Sequence, residues 1–153
     1  MSSKISTIYD AMVTRLGTIF PNHFRLPSVQ YAELNPESFL VQGWCFRIGS
    51  GENAKRELSC QMAIDRTIYV TLTREFKALE LDPAPKAAVE KTLLEDQYTL
   101  INDFEKTFTL NDPSVAACEF VSDNGIEIVF YKEKDRFIKI ESSFRIRYFE
   151  SLL

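Results

Sequence analysis

One long alternating segment constrains the fold of this chain more than any other feature. Between Cys60 and Thr73, apolar and polar residues alternate with the period of two that is typical of a half-buried β-strand. The apolar face consists of Cys60, Met62, Ile64, Ile68, Val70 and Leu72, and the polar face of Gln61, Asp65, Thr67, Thr71 and Thr73. The segment predicts a long strand that buries one side against a core and bends or projects past its sheet.

Further strands are predicted on both sides of this segment. Phe39 to Ile48 is rich in β-prone residues, and Val115–Ser122 and Ile126–Tyr131 flank Asn124–Gly125, a dipeptide that favours the two-residue turn of a tight hairpin. The C-terminal segment alternates again. Its apolar face is Ile138, Ile140, Phe144, Ile146 and Tyr148, and its polar face is Lys139, Glu141, Arg145 and Arg147. These segments predict a mostly antiparallel sheet.

Two segments are predicted as loops. Gly49–Leu58, with the sequence GSGENAKREL, combines glycine with charge, so we expect a mobile connection that is disordered in a free subunit and ordered against a neighbour. Pro21–Ser38 contains three prolines and no sustained period. Long loops of this kind are usually functional or lie at an interface.

Two helices complete the predicted architecture. Apolar residues recur at helical spacing between Ser3 and Phe20, where Pro21 ends the pattern, and Asp82–Pro83 is a typical helix start. The buried face of the first helix is Ile5, Ile8, Met12, Leu16 and Ile19, and that of the second is Val89, Leu93, Leu100, Ile101, Phe104 and Phe108. We therefore predict an α+β fold in which residues 1–153 form a single domain, with two main helices packed against the sheet.

Composition limits the classes of partner. The 153 residues carry 18 Lys and Arg against 22 Asp and Glu, and the resulting net charge of −4 argues against a chain-wide grip on nucleic acid or on an anionic membrane. The chain has neither the apolar run of a membrane span nor the apolar core of a secretory signal. We expect a soluble protein made in the cytoplasm.

Recognised catalytic motifs are missing from the sequence. The single histidine, His23, has no nucleophile motif to partner it, and we expect it to be an exposed or interfacial loop residue. The glycines of GSGENAK match neither a Walker motif nor a dinucleotide fingerprint. Cys45, Cys60 and Cys118 lie in apolar runs without ligand spacing, so we expect buried free thiols. The prediction is no catalytic residue, no cofactor, no metal and no disulfide.

Paired acids and two unusual arginines remain as candidates. Glu95 and Asp96 are expected on a solvated helix face. Glu119 with Asp123 could form a general acid/base pair or a metal-binding pair, and either would make the chain an enzyme. Arg66 and Arg74 occupy the apolar face of the long strand, where they either snorkel at a sheet margin or form ion pairs at an edge or across a subunit interface. The predicted interface consists of Glu52, Lys55, Arg56, Arg66 and Arg74.

A basic strip with aromatic neighbours is a further possibility. Its bases would be Lys55, Arg56, Arg136, Lys139, Arg145 and Arg147, and its stacking rings Trp44, Phe46 and Tyr148. Such a surface is typical of single-strand nucleic-acid binding. Acidic residues alternate with these bases, however, which favours a mixed solvent-exposed face.

The chain as a whole resembles the lambda-type tail terminator family of long-tailed bacteriophages. The resemblance lies in the element order and covers ISTIYDAMVTRL, SCQMAIDRTIYVTLTREF, KAAVEKTLLEDQYTLINDFE and IKIESSFRIRYFESLL. It implies a non-catalytic virion protein that assembles as a hexameric ring, caps the tail tube and stops its polymerisation. The implied partners are further copies of the chain, the tail tube protein and the head-completion or connector protein, with DNA only as passing cargo and no membrane.

Two other roles fit the same residues. A head–tail connector or other neck protein would use a similar domain in a neighbouring position of the virion. A small non-catalytic binding or adaptor module would stay monomeric, whereas a ring subunit must present two different surfaces to identical neighbours.

Overall fold

Four strands of 16 or 17 residues form almost all of the sheet. The computed structural model describes residues 3–27, 42–58, 61–76, 83–107, 115–131 and 135–151. In chain order the elements are α1 (Lys4–Ile19), β1 (Phe24–Arg25), β2 (Gln42–Leu58), β3 (Gln61–Phe76), α2 (Pro83–Thr107), β4 (Val115–Tyr131) and β5 (Asp135–Ser151). These residues form one α+β domain with a five-stranded, mostly antiparallel sheet, which confirms the predicted fold class.

The sheet has the strand order β1-β2-β3-β5-β4. All neighbouring pairs are antiparallel except β1 and β2, which run parallel over two residues of each strand. The prediction of an uninterrupted loop over Pro21–Ser38 was therefore wrong at Phe24–Arg25, which form β1, while residues 28–38 lie outside the described part of the chain. One further backbone hydrogen bond continues this short parallel pairing, from Leu26 N–H to the Trp44 carbonyl at 2.8 Å.

The predicted mobile loop Gly49–Leu58 is instead the second half of β2. It pairs with β3 from Gly51 opposite Arg66 to Leu58 opposite Gln61, with register shifts that absorb the irregular positions. The prediction was wrong because glycine and charge disfavour a strand only weakly, whereas β3 offers a complete ladder of backbone partners. The segment forms an extension of the sheet within the single chain.

The predicted hairpin at Asn124–Gly125 was also wrong. Both flanking segments belong to β4 and pair with the same strand, β5, with register shifts between Phe120 and Ser122 and between Asp123 and Ile126. Gly125 has φ 75°, and its N–H donates to the Asp123 carboxylate at 2.8 Å. The dipeptide supplies a left-handed residue for a bulge, because β5 is long enough to pair with both halves of β4.

Both helices pack on one face of the sheet. In α1 the buried side chains are Ile8, Met12 and Leu16, and Ser3 caps the helix by accepting a hydrogen bond from the Ser6 N–H at 3.2 Å. The sheet contributes Trp44, Ile68, Val70, Leu72, Ile138, Ile140, Phe144, Ile146 and Tyr148, and α2 contributes Leu93, Leu100 and Phe104. The alternating faces predicted for β3 and β5 are confirmed.

The opposite face of the sheet is largely polar. A small second cluster of Leu26, Cys45 and Phe137, with Val129 packed against it, lies on this face. Asp65 binds Arg147 there in a bidentate pair at 2.7 and 2.8 Å, and Arg47 lies 3.7 Å from the centre of the Tyr69 ring. Charged side chains of the strands therefore lie on this face, in contact with solvent.

Candidate functional site

Arg74 is held inside the chain by a carboxylate from α2. Its Nε and Nη2 donate to the two carboxylate oxygens of Asp96 at 2.7 and 2.9 Å, and its Nη1 donates to the side-chain oxygen of Gln42. The side chains of Arg74 and Asp96 are 20% and 13% exposed. This pair joins the end of β3 to the middle of α2, so the ion pair expected for Arg74 at an edge or across a subunit interface forms within the chain.

His23 completes this cluster, and its side chain is buried within the chain, whereas we expected an exposed or interfacial loop residue. Its side chain is 7% exposed, its ring centre lies 4.7 Å from that of Phe20, and its Nε2 lies 3.5 Å from Asp96 Oδ2. Neither ring nitrogen has a hydrogen-bond partner within the described residues. The sequence reading missed this site because its members come from distant segments.

The charge state of Asp96 follows from its surroundings. Burial by itself raises the pKa of this carboxyl, but the contacts with His23 and Arg74 outweigh burial and hold the pKa below the ordinary value of an aspartate. The prediction of a solvated Glu95–Asp96 face holds for Glu95, which is exposed, and was wrong for Asp96. Asp96 serves the structure as an ion-pair partner on the sheet side of α2.

Arg66 occupies a different position on the same strand face. Its Nε donates to the Tyr148 hydroxyl and its Nη1 donates to the Gly49 carbonyl, both at 3.0 Å. It borders an open cleft of about 420 Å³ between α1 and β2, which is also lined by Ile5, Ser6, Tyr9 and Ile48. Both of these hydrogen bonds lie within the chain, so an intersubunit contact of Arg66 would use the side of the guanidinium that lines the cleft.

The remaining predicted interface residues lie on the outer half of β2. Glu52 is exposed, and Lys55 pairs through its backbone with Ala63, while the side chains of Lys55 and Arg56 lie outside the described part of the structure. Glu52 and Asp65 are cross-strand partners, as are Gly51 and Arg66. The strand pairing thus brings Glu52 and Arg66 to the same end of the sheet.

The strand β4 forms one lateral edge of the sheet, and the short strand β1 covers only the start of β2 on the other side. Within the described residues, β1 pairs only with Gly43 and Trp44, so the outer edge of β2 beyond Trp44 has no neighbouring strand there, and β4 forms the other edge. One amide of the β4 edge is capped, because Phe120 N–H donates to Glu105 Oε1 at 3.2 Å. The other backbone groups of such edges are templates for strand addition.

The two edges differ in charge. β4 contains the acids Glu119, Asp123 and Glu127 and no Lys or Arg. β2 contains Arg47, Lys55 and Arg56 against Glu52 and Glu57. An acidic edge and a weakly basic edge on opposite sides of one sheet are complementary in sign.

The structure favours the expected mixed solvent-exposed face over a nucleic-acid strip. Trp44 and Tyr148 are 3% and 0% exposed, so their rings belong to the core and cannot stack on bases. Two of the bases on the open face have acidic partners: Lys139 lies 3.5 Å from Glu127, and Arg147 binds Asp65. The described part of the open face is a surface of mixed charge.

Among the residues that the structure describes, the cysteines and acids form no arrangement typical of a reactive centre. Burial raises the pKa of Cys45 to about 11 and that of Cys118 to about 12, so these free thiols stay protonated near neutral pH, and Cys60 lies outside the described residues. Asp123 accepts a hydrogen bond from Gln97 at 3.0 Å, whereas Glu119 is exposed. In the described ranges, no three His, Cys, Asp or Glu side chains cluster in a way that could hold a metal ion.

Comparison with known proteins gives no family assignment. No protein-family model matches this sequence, and no curated protein shows significant similarity to it.

No helix in the part of the chain that the structure describes is both long and apolar enough to span a bilayer.

Proposed function

We propose that this chain is a structural subunit that assembles into a ring in the neck of a long-tailed phage virion, in the role of a tail terminator. The ring, a hexamer in this family, caps the tail tube, stops its polymerisation and docks to the head-side connector. The subunit is synthesised in the host cytoplasm, needs no cofactor and catalyses no reaction. The alternatives are a head–tail connector or neck protein and a monomeric adaptor.

The observation that carries this proposal is the pair of long, unlike sheet edges. β2 and β4 each have 17 residues and lie on opposite sides of the sheet. Because the edges differ, joining β4 of one copy to β2 of the next is a heterologous contact, which closes into a ring when the rotation per subunit divides a full turn. Their opposite charge favours this contact over β4–β4 pairing.

The overall charge supports the same role. A net charge of −4 suits a channel through which DNA passes, since phosphate binding depends on Lys and Arg. The paired charges on the open face also leave few bases for a tight grip on DNA. An adaptor module, in contrast, gains nothing from two unlike edges.

The test is the oligomeric state of the purified protein across a range of concentrations. Sedimentation velocity and native mass spectrometry should give a discrete ring, and negative-stain images should show a central channel. Glu119→Lys, on the acidic edge, should reduce the ring fraction. The matched control is Glu95→Lys, which makes the same charge change at an exposed position of α2 and should leave assembly unchanged.

A chain that stays monomeric at every concentration, alone and with purified tail tubes, would contradict the ring and favour the adaptor. Equal effects of Glu119→Lys and Glu95→Lys on a ring would show that net charge, rather than the β4 edge, governs assembly.

A further inference from the structure

Two exposed side chains, Leu94 and Tyr98, form a ridge along α2. They are 47% and 66% exposed, and they lie one helical turn apart on the same face of the helix. Glu105, two turns after Tyr98 on this face, accepts a hydrogen bond from the Phe120 N–H of β4 at 3.2 Å. Glu95 projects about 80° away from the middle of the ridge and is not part of it. The ridge therefore lies on the β4 side of the molecule.

The opposite flank of α2 is in contact with the rest of the chain. Asp103 binds Arg15 of α1 in a bidentate pair, and Asp96 binds Arg74 of β3. At 3.6 residues per turn, both aspartates lie on roughly the opposite side of the helix from the ridge. The ridge thus points away from α1, toward the lateral surface where a neighbouring molecule can cover it.

The Arg66 cleft lies on the other side of the molecule. Tyr9 borders this cleft and contacts Phe46 of β2, with 4.9 Å between the ring centres, whereas Arg15 faces α2 from the other flank of α1. The cleft has a volume of about 420 Å³ and is lined by Ile5, Ser6, Tyr9, Ile48 and Arg66. Since clefts of about 300–1,000 Å³ enclose small-molecule ligands, this one has room for a tyrosine ring and a leucine side chain.

The cleft also contains a positive charge that no acid neutralises. Arg66 donates to two neutral oxygens, the Tyr148 hydroxyl and the Gly49 carbonyl, and it forms no ion pair with any described residue. A guanidinium beside apolar walls attracts the negative face of an aromatic ring. A tyrosine is therefore a better occupant of this cleft than an aliphatic side chain alone.

Charged groups beside the two surfaces are complementary in sign. Arg25 donates to the hydroxyl of Tyr9 at the cleft, at 3.3 Å, and has no carboxylate partner in the described ranges. Glu105 beside the ridge is exposed, and within the described part of the chain only its Oε1 accepts a hydrogen bond. This arrangement favours contact between a ridge and a cleft over contact between two ridges or two clefts.

We propose that the Arg66 cleft receives the Leu94–Tyr98 ridge of a second copy of this chain. This inference rests on the proposed ring and names a contact between its subunits. The ridge and the cleft both belong to the layer of helices and lie on opposite sides of the sheet order, so a heterologous contact brings them together without turning one sheet over. Tyrosine and arginine are also enriched at the buried centres of protein interfaces.

The first experiment measures self-association of the full chain by sedimentation velocity. Tyr98→Ala removes the ring from the ridge, and Ser6→Trp fills the cleft from an exposed position of α1. Each should weaken association about tenfold to a hundredfold, as the loss of a central interface contact does. Two matched controls should associate nearly like the natural chain: Tyr98→Phe, which keeps the ring, and Thr18→Trp, which adds the same ring at the far end of α1. Far-UV circular dichroism and thermal melting establish that each variant is folded.

The second experiment mixes the two weakened variants in equal amounts. A Tyr98→Ala chain keeps an intact cleft, and a Ser6→Trp chain keeps an intact ridge, so together they should form a dimer that neither forms alone. This dimer cannot grow into a ring, because its two remaining surfaces are both damaged. Absence of the dimer, at concentrations where the natural chain forms rings, would overturn the pairing of ridge and cleft.

The other failures are distinguishable. Rings that form normally with folded Tyr98→Ala and Ser6→Trp chains would overturn this contact and leave the proposed function intact. Weakening by Tyr98→Ala without an effect of Ser6→Trp would overturn the cleft as the surface that receives the ridge. A natural chain that is monomeric at every concentration would overturn the ring and this contact together.

Discussion

Replacing Asp96 by asparagine should destabilise the fold by about 2–3 kcal/mol. The substitution keeps the shape of the side chain and removes the charge that receives Arg74 Nε and Nη2 at 2.7 and 2.9 Å. Asparagine offers one neutral amide oxygen, so the guanidinium keeps its hydrogen bond to Gln42 and at most one weaker bond to residue 96, and it sits beside the buried ring of His23. The damage therefore comes mainly from a half-buried cation that has lost its anion.

The magnitude follows from the burial of the pair. Removing one partner of a fully buried ion pair costs about 3–5 kcal/mol, whereas exposed pairs contribute about 1 kcal/mol or less. Because the side chains of Arg74 and Asp96 are 20% and 13% exposed, the cost should lie between these limits and nearer the buried case. For a chain of this size it corresponds to a fall in Tm of about 5–10 °C.

Urea unfolding followed by circular dichroism measures this loss. Glu95→Gln is the matched control, because it makes the same chemical change at the neighbouring exposed residue and should shift stability by less than about 0.5 kcal/mol. A double-mutant cycle with Arg74→Gln should give a coupling free energy of about 1–3 kcal/mol. A folded Asp96→Asn chain as stable as Glu95→Gln, or a coupling near zero, would refute the argument that this pair joins α2 to β3.

The remaining predictions concern pH, thiols and the β4 bulge. The pKa of Asp96 is lower in the folded chain than in the unfolded chain, where it is near 3.9. The stabilisation by the ionised carboxylate is therefore complete above this unfolded pKa and is lost as the pH falls through the folded pKa. Acid unfolding curves should show this loss in the natural chain and lack it in Asp96→Asn. Cys45, which is buried and has a pKa of about 11, should react with a thiol reagent at pH 8 only on unfolding, and rapid labelling of Cys45 in the native state would contradict its burial. Gly125→Ala should lower the free energy of unfolding by about 1–2 kcal/mol, because the φ of 75° at Gly125 is left-handed. Gly17→Ala is the control: the added Cβ in α1 would have no atom within 4 Å, so the substitution should be neutral or stabilising by about 1 kcal/mol. Equal changes of Tm in the two variants would contradict this difference.

Local periodicity alone predicted the parts of this fold that depend on which side of an element is apolar. The three-to-four spacing in α1 identified Ile8, Met12 and Leu16 as buried, and the two-residue period identified the core faces of β3 and β5. These predictions were correct because the apolar face of a helix or strand faces the core whichever element it packs against.

Only the tertiary structure decided what pairs with what. Gly49–Leu58 has the composition of a loop and Asn124–Gly125 that of a turn, yet long partner strands draw both into the sheet as a strand extension and a bulge. Asp96 reads as a solvent-facing acid on its helix, but Arg74 and His23 reach it from distant segments. Such contacts are invisible in the sequence, because the free energy of a hydrogen-bond ladder or a half-buried ion pair depends on the groups that the whole fold brings together.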